Sequence, residues 1–167
     1  MKLLKWMVMA ALLTGSGFAQ THVKSVNLDK YSGKWYEIAS IPSGFDKKWN
    51  YVTESYTLNK KGTIDIYTTY KKGTSTKESS VRSKGFPNKE SGNVKWKVQF
   101  VWPFKADYLV EELDEINYSY VVVGHPKKKY LYIMNRSGSM AEIQYQEIVE
   151  RCAKKGYDIK KLHKILQ

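Results

Sequence analysis

The sequence predicts an all-β domain of eight short strands, a sandwich or an up-and-down barrel, followed by one helix near the C-terminus. Two observations carry this. Beyond residue 25 the chain falls into short runs rich in Val, Ile, Thr, Tyr and Trp, separated at regular intervals by turn-forming residues. Several runs also alternate polar and apolar with a period of two, the pattern of antiparallel sheet with one wet face.

The first residues read differently. Lys2 and Lys5 precede an uncharged apolar run, Trp6 to Leu13, and Gly17 and Ala19 are small residues placed for cleavage before Gln20. This is the order of a secretory signal peptide over residues 1–19. The apolar run is well short of the roughly 20 residues that span a bilayer. Removing it leaves about 148 residues, 20–167, enough for one domain with one core. No internal repeat, linker or composition shift marks a second domain.

The eight strands fall near 33–41, 51–58, 63–71, 78–86, 94–102, 107–114, 118–124 and 129–135. Turn signals separate them: Asn59-Lys60-Lys61-Gly62, Lys71-Lys72-Gly73, Pro87-Asn88, Ser91-Gly92-Asn93, and Pro126 with three lysines after it. In the second strand Val52, Glu54, Tyr56 and Leu58 share a face. In the third, Ile64, Ile66, Thr68 and Tyr70 do. The fifth is cleanest: Trp96, Val98 and Phe100 oppose Lys95, Lys97 and Gln99.

One long helix follows. Ser139 and Glu142 have capping-box spacing. Tyr145, Ile148, Val149 and Cys152 line one helical face, and Gly156 supplies the stop after Lys154 and Lys155. Such a stripe must be buried, and a sheet's outer wall is the available surface. The tail, with Ile159, Leu162, Ile165 and Leu166, fits either a short strand or a helical turn.

The chain carries 28 Lys and Arg against 16 Asp and Glu, a formal charge of +12, falling to about +10 without the leader. A basic surface attracts anionic partners and aids solubility. Export and the absence of any nucleic-acid-binding motif speak against nucleic acid and leave an anionic membrane face as the possible charged partner. Cys152 is the single cysteine, so no intrachain disulfide staples the fold; inside an apolar stripe it reads as a small buried hydrophobe. His22, His125 and His163 are scattered, without metal-ligand spacing. No nucleophile elbow or phosphate-cradling loop is present. Adjacent acids such as Glu111-Glu112 and Asp114-Glu115 should point to opposite faces of a strand and so form no acid–base pair. An enzyme is therefore not expected, nor a cofactor or metal.

Gly33-Lys34-Trp35-Tyr36-Glu37-Ile38-Ala39, preceded by Asp29-Lys30-Tyr31, resembles the first signature of the lipocalin family, above all its bacterial and apolipoprotein-D-like branch. The likeness continues in order through Val52 to Leu58, Lys97 to Phe104, Asp114 to Val123 and Tyr130 to Arg136, then the helix and Gly156-Tyr157-Asp158. It covers about residues 25–167. It implies an eight-stranded antiparallel up-and-down β-barrel with one C-terminal α-helix packed on the outside. It also implies that Gly33, Trp35 and Arg136 are structural, with the guanidinium lying across the indole at the closed end. Departures exist. Asn117-Tyr118 makes the second signature loose, Glu54 stands where relatives often have a small residue, and no lipobox cysteine is present, which predicts a form without a lipid anchor.

The resemblance further implies binding, storage or transport of a fatty-acid or lysophospholipid type of ligand, in envelope lipid maintenance, by a monomer or weak homodimer. Alternation nominates Ala39, Tyr56, Ile66, Thr68, Val98, Phe100, Tyr108, Val110 and Val121 as the lining. Lys47, Lys48 and Lys105 are expected to attract an anionic headgroup, and Phe45 and Trp49 to form a lid or rim or to be ordinary loop aromatics. Arg82 joins the lining only if alternation breaks. Two alternatives are a barrel enzyme, with Cys152 as the most plausible nucleophile, and a module whose basic outer surface meets anionic membrane or polymer.

Overall fold

A computed structural model describes residues 22–167; the expected leader lies outside them. Eight strands run in chain order around a closed antiparallel sheet. They are β1 (Gly33–Ile41), β2 (Trp49–Leu58), β3 (Ile64–Lys72), β4 (Glu78–Pro87), β5 (Lys95–Val101), β6 (Phe104–Leu113), β7 (Tyr120–Gly124) and β8 (Leu131–Asn135). A short helix α1 (Leu28–Tyr31) precedes them. Helix α2 (Glu142–Lys154), a 3-10 turn (Ile159–Lys161) and strand β9 (His163–Lys164) follow. The ring closes through β1, which pairs with both β8 and β2. No helix among the described residues is long and apolar enough to cross a membrane.

The seam between β1 and β2 is closed in two ways. Near the base, Gly33 to Tyr36 pair directly with Tyr56 to Thr53. Further up, the C-terminal tail fills the gap. β9 pairs with Ala39 and Ser40, Tyr51 N–H donates to the Leu166 carbonyl, and Gln167 Nε2 donates to the carbonyls of Glu37 and Val52 at 2.6 and 3.0 Å. The tail is thus helical turn first and strand second, and it satisfies edge groups that would otherwise be bare.

Two β-bulges redirect side chains. In β1 the register shifts between Glu37 and Ala39, and in β6 between Val110 and Glu112. An extra residue reverses the inside–outside alternation beyond it. Ala39 is therefore not a lining residue as alternation had suggested: it is fully buried on the outer wall with Ile41, Val122, Leu131 and Ile133, beneath α2. Glu111 and Glu112 likewise do not oppose each other. Both bond to groups from outside the barrel: Glu111 to Lys128 and Tyr157, each at 2.6 Å, and Glu112 to Arg151, also at 2.6 Å.

Helix α2 lays Tyr145, Ile148 and Cys152 on this outer patch. Its start differs from the expected capping box. Ala141 is the N-cap and no side chain caps the helix. Asn135, at the end of β8, draws the Ser139 carbonyl into a turn, and Glu142 is engaged by Gln146 and Lys164 at 2.8 Å each. The helix stop is a Schellman motif: Gly156, at φ +90°, donates to Ala153, and Tyr157 N–H to Cys152.

The base of the barrel is sealed by aromatic rings and one cation. Trp35 is fully buried, its Nε1 donating to the Tyr31 carbonyl at 2.9 Å. Tyr31 lies 5.3 Å from both Trp35 and Trp96, centroid to centroid. The Arg136 guanidinium sits 3.6 Å over the Trp35 ring. It also donates to the carbonyls of Lys30, Tyr31, Ser32, Lys34 and Tyr118 at 2.8–3.3 Å. Gly33, at φ +101°, lets the chain turn into β1 under that guanidinium, 3.2 Å from where a Cβ would stand. Arg136→Ala removes the cation–π contact and strands several carbonyls at once. We expect a loss of about 3 kcal/mol or more, read as a lower denaturation midpoint. An unchanged midpoint would contradict this account of the base.

Candidate ligand cavity

Above the Trp35 layer the barrel is hollow. The cavity measures about 130 Å³ and is lined mainly by apolar and aromatic side chains, with carboxylates and hydroxyls among them. Ile66 and Thr68 enter from β3, Ser83 from β4, Val98 and Phe100 from β5, Ala106 and Tyr108 from β6, Val123 from β7, Tyr132 and Met134 from β8. Tyr56 and Glu54 enter from β2, and Glu37 from β1 just below its bulge. The mouth is edged by the loop between β1 and β2. There Phe45 meets Trp49 and Phe100 at 5.4 Å each, and Trp49 stacks on Tyr70 at 3.7 Å.

Of the nine nominated lining residues, Tyr56, Ile66, Thr68, Val98, Phe100 and Tyr108 border this space. Val110 and Val121 face inward but lie outside the lining, packed into the core with Trp35 and Trp96. Ala39 faces outward, as described. Arg82 stays on the outer wall, 4.7 Å over the ring of Tyr67. Lys47, Lys48 and Lys105 also stay out of the lining, Lys105 lying 3.9 Å over Phe86. Among the described residues, no Lys, Arg or His lines the cavity.

Sequence reasoning passed over several lining residues. Tyr132 and Met134 share a face of β8 with period two, and Val123 lies one repeat from Val121, so alternation was sufficient to find them. Glu37 follows from Trp35 by the same rule. Asp46 carried no signal, because loop geometry is not periodic.

The polar part of the cavity is a chain of hydroxyls. Tyr56 O–H donates to the Glu54 carboxylate. Tyr56 and Tyr108 hydroxyls are 3.1 Å apart, and those of Tyr108 and Tyr31 are 2.5 Å apart. Each phenol has one proton. With the Tyr56 proton given to Glu54, Tyr108 must donate to Tyr56, and Tyr31 to Tyr108. Near the mouth, Tyr132 donates to Asp46 at 2.7 Å, and Asp46 also accepts from Ser43 at 3.0 Å. Burial pushes the Glu37 carboxyl up to about 8, with the neighbouring charges of Glu54 and Asp46 adding to the rise and a Ser40 hydrogen bond opposing it. Burial likewise raises Glu54, against the Tyr56 hydrogen bond and with Asp46 adding.

Cys152 stands apart from this site. It is buried under α2, and burial followed by the Glu112 charge pushes its thiol up to about 12, which keeps it protonated and unreactive. No cluster of His, Cys, Asp and Glu among the described residues could hold a metal.

A closed barrel with a sealed base, an outer helix and a cup-shaped hollow defines a calycin-type protein. Comparison with known proteins narrows the class. Residues 26–167 match the lipocalin-like domain. The chain is 37% identical over 155 residues to temperature-induced lipocalin-1 of Arabidopsis thaliana, covering 87% of this chain and 81% of that one. It is 29% identical to the outer membrane lipoprotein Blc of Vibrio cholerae, over 84% of this chain and 82% of the relative. Among solved structures, apocrustacyanin C2 superposes with a TM-score of 0.68 at 19% identity, over 84% of this chain and 79% of that one. Insecticyanin from the tobacco hornworm Manduca sexta gives 0.68 at 16% identity, over 86% and 82%. The chain belongs to the lipocalin family, whose members bind small hydrophobic ligands and are generally not enzymes.

The buried carboxylates predict how stability varies with pH. Between Glu37's ordinary value of 4.5 and its folded value of about 8, the folded chain holds a proton that the unfolded chain has released. Stability must fall as pH rises through that window. We expect Tm to drop by roughly 10 °C from pH 5 to pH 8. Glu37→Gln should melt above the parent at pH 8 and gain nothing at pH 5. A parent whose Tm rises over this range would refute the assignment.

Proposed function

We propose that this chain is an exported carrier that holds one small hydrophobic or amphipathic molecule in its barrel, in the service of envelope lipid upkeep. The observation that carries the reading is the hollow above the Trp35 layer, apolar on most of its wall and bordered at the mouth by aromatic rings. Its size limits the guest. An engineered apolar void of about 150 Å³ takes a benzene ring, and drug-sized ligands occupy about 300 Å³ or more. A cavity of about 130 Å³ therefore encloses a ring or a short chain. A long acyl tail would extend through the mouth across Phe45 and Phe100. Each methylene inside contributes about 0.8 kcal/mol.

A second reading has its own observation. The turn between β5 and β6 sits at the mouth and exposes Trp102 by 82% and Phe104 by 76%. On a chain of net charge about +10 without its expected leader, such a hairpin suits insertion into an anionic lipid surface, where cargo would be loaded or released.

Two measurements test these readings. A neutral apolar fluorophore or long-chain alcohol should quench the tryptophans on binding. Val98→Trp, which fills the hollow, should weaken that binding at least tenfold without unfolding the barrel. Full binding by the filled variant would remove the cavity from the account. Replacing both Trp102 and Phe104 by Ser should lower partition into phosphatidylglycerol vesicles several-fold and leave ligand affinity in solution unchanged. Equal partition would dismiss the membrane reading alone.

A further inference from the structure

We infer that the polar group accepted inside the barrel is an organic ammonium, so that the preferred guest is an amine with an apolar body rather than a fatty-acid anion. This rests on the carrier reading and specifies its ligand class.

The first ground is charge. Glu37 from β1, Glu54 from β2 and Asp46 from the intervening loop all reach the lining, and no Lys, Arg or His among the described residues does. A buried carboxylate needs a counter-charge or a full set of donors. The lining carries four acidic side chains and no cation among the described residues: Asp107 is already paired with Lys97 outside it, Asp46 is held by Tyr132 and Ser43, and Glu37, which burial keeps protonated while the hollow is empty, ionises against an entering cation. The positive charge of the molecule lies on its outside, where salt screens it within about 8 Å at physiological ionic strength.

The second ground is hydrogen-bond supply, and it is independent of the first. An anionic headgroup needs donors. The phenolic protons of Tyr31, Tyr108 and Tyr56 run one way and end on Glu54. Tyr132 gives its proton to Asp46, and Tyr130 gives its own to the Asp107 carbonyl. The wall's further donors include the single hydroxyls of Thr68 and Ser83 and the proton that Glu37 holds, and what the tyrosines still offer is oxygen lone pairs. An ammonium brings three N–H donors and a charge, which matches that remainder; a carboxylate brings more acceptors and more negative charge. The rings of Tyr56, Tyr108 and Tyr132 add cation–π attraction in a desolvated space.

The test uses three guests with the same chain: octylamine, octanol and octanoate, titrated calorimetrically into the full exported chain at pH 7. Octylammonium should bind at least tenfold tighter than octanol, and octanoate more weakly than octanol. The double variant Glu37→Gln, Glu54→Gln, checked for folding by its melting curve, should bring the amine and the alcohol within about threefold while octanol binding persists. Octanoate binding as tightly as the amine, or an amine preference that survives the double variant, would overturn the inference and leave the carrier reading standing. Failure of all three guests to bind would instead remove the carrier reading itself.

Discussion

The cation at the base does more than add one contact. Arg136 lies flat on the Trp35 indole while its N–H groups reach five carbonyls from two separate stretches of chain. Those carbonyls belong to α1, to the start of β1 and to the loop before β7. A barrel whose ends are loops has many backbone oxygens to satisfy and little sheet to do it with. One planar, always-charged fork satisfies several of them and holds the plug in place. With the base fixed, the remaining free volume of the barrel collects at the other end, which is why the hollow lies toward the mouth.

The outer wall follows a different constraint. Helix α2 needs an apolar seat, yet an eight-stranded barrel that alternates strictly would present every second residue to water. The bulges in β1 and β6 resolve this conflict. They turn Ala39 outward into the patch beneath the helix, and turn Glu111 and Glu112 outward beside it. The helix and its C-cap then bring Arg151 and Lys155 to the Glu112 carboxylate, with Lys155 also donating to the Glu111 main-chain carbonyl at 2.5 Å, while Lys128 and Tyr157 hold the Glu111 carboxylate. Ion pairs half-shielded by packing hold the helix in register over its seat, though a surplus of such pairs does not by itself make the fold stable.

This is also where legibility in the sequence stops. Alternation holds from Thr53 to Leu58 in β2, along β3 and from Lys95 to Val98 in β5, and the residues it places inside, such as Tyr56, Ile66 and Val98, border the cavity. Runs of Val, Ile and Tyr with Gly and Asn between them were enough for all eight strands, because half-buried sheet imposes a period the sequence must obey. A bulge adds one residue to one strand and leaves no composition signal, so Ala39 and the Glu111-Glu112 doublet were misplaced by one step. Val110 and Val121 were misjudged in depth rather than direction, since periodicity reports which face a residue takes but not which layer. The capping box fails for a local reason: Asn135 and Ser137 both donate to the Ser139 carbonyl and hold it in a turn, so the helix takes Ala141 as its N-cap instead.

The cavity carries a cost that the rest of the fold must absorb. Filling it with Leu or Phe would remove buried carboxylates and a void together, and both changes stabilise a core. The chain instead keeps Glu37 and Glu54 in a desolvated hollow and holds the barrel shut with an aromatic base, a C-terminal seam and an ionic helix seat. Groups retained against their own stability gradient at the bottom of a cup are most economically explained by what they contact when the cup is full. The molecule thus separates two electrostatic surfaces by one sheet: a lysine-rich exterior and an interior lined by acidic and hydroxyl groups without a cation among the described residues. Each strand serves both at once, because successive side chains belong to opposite faces of the same backbone.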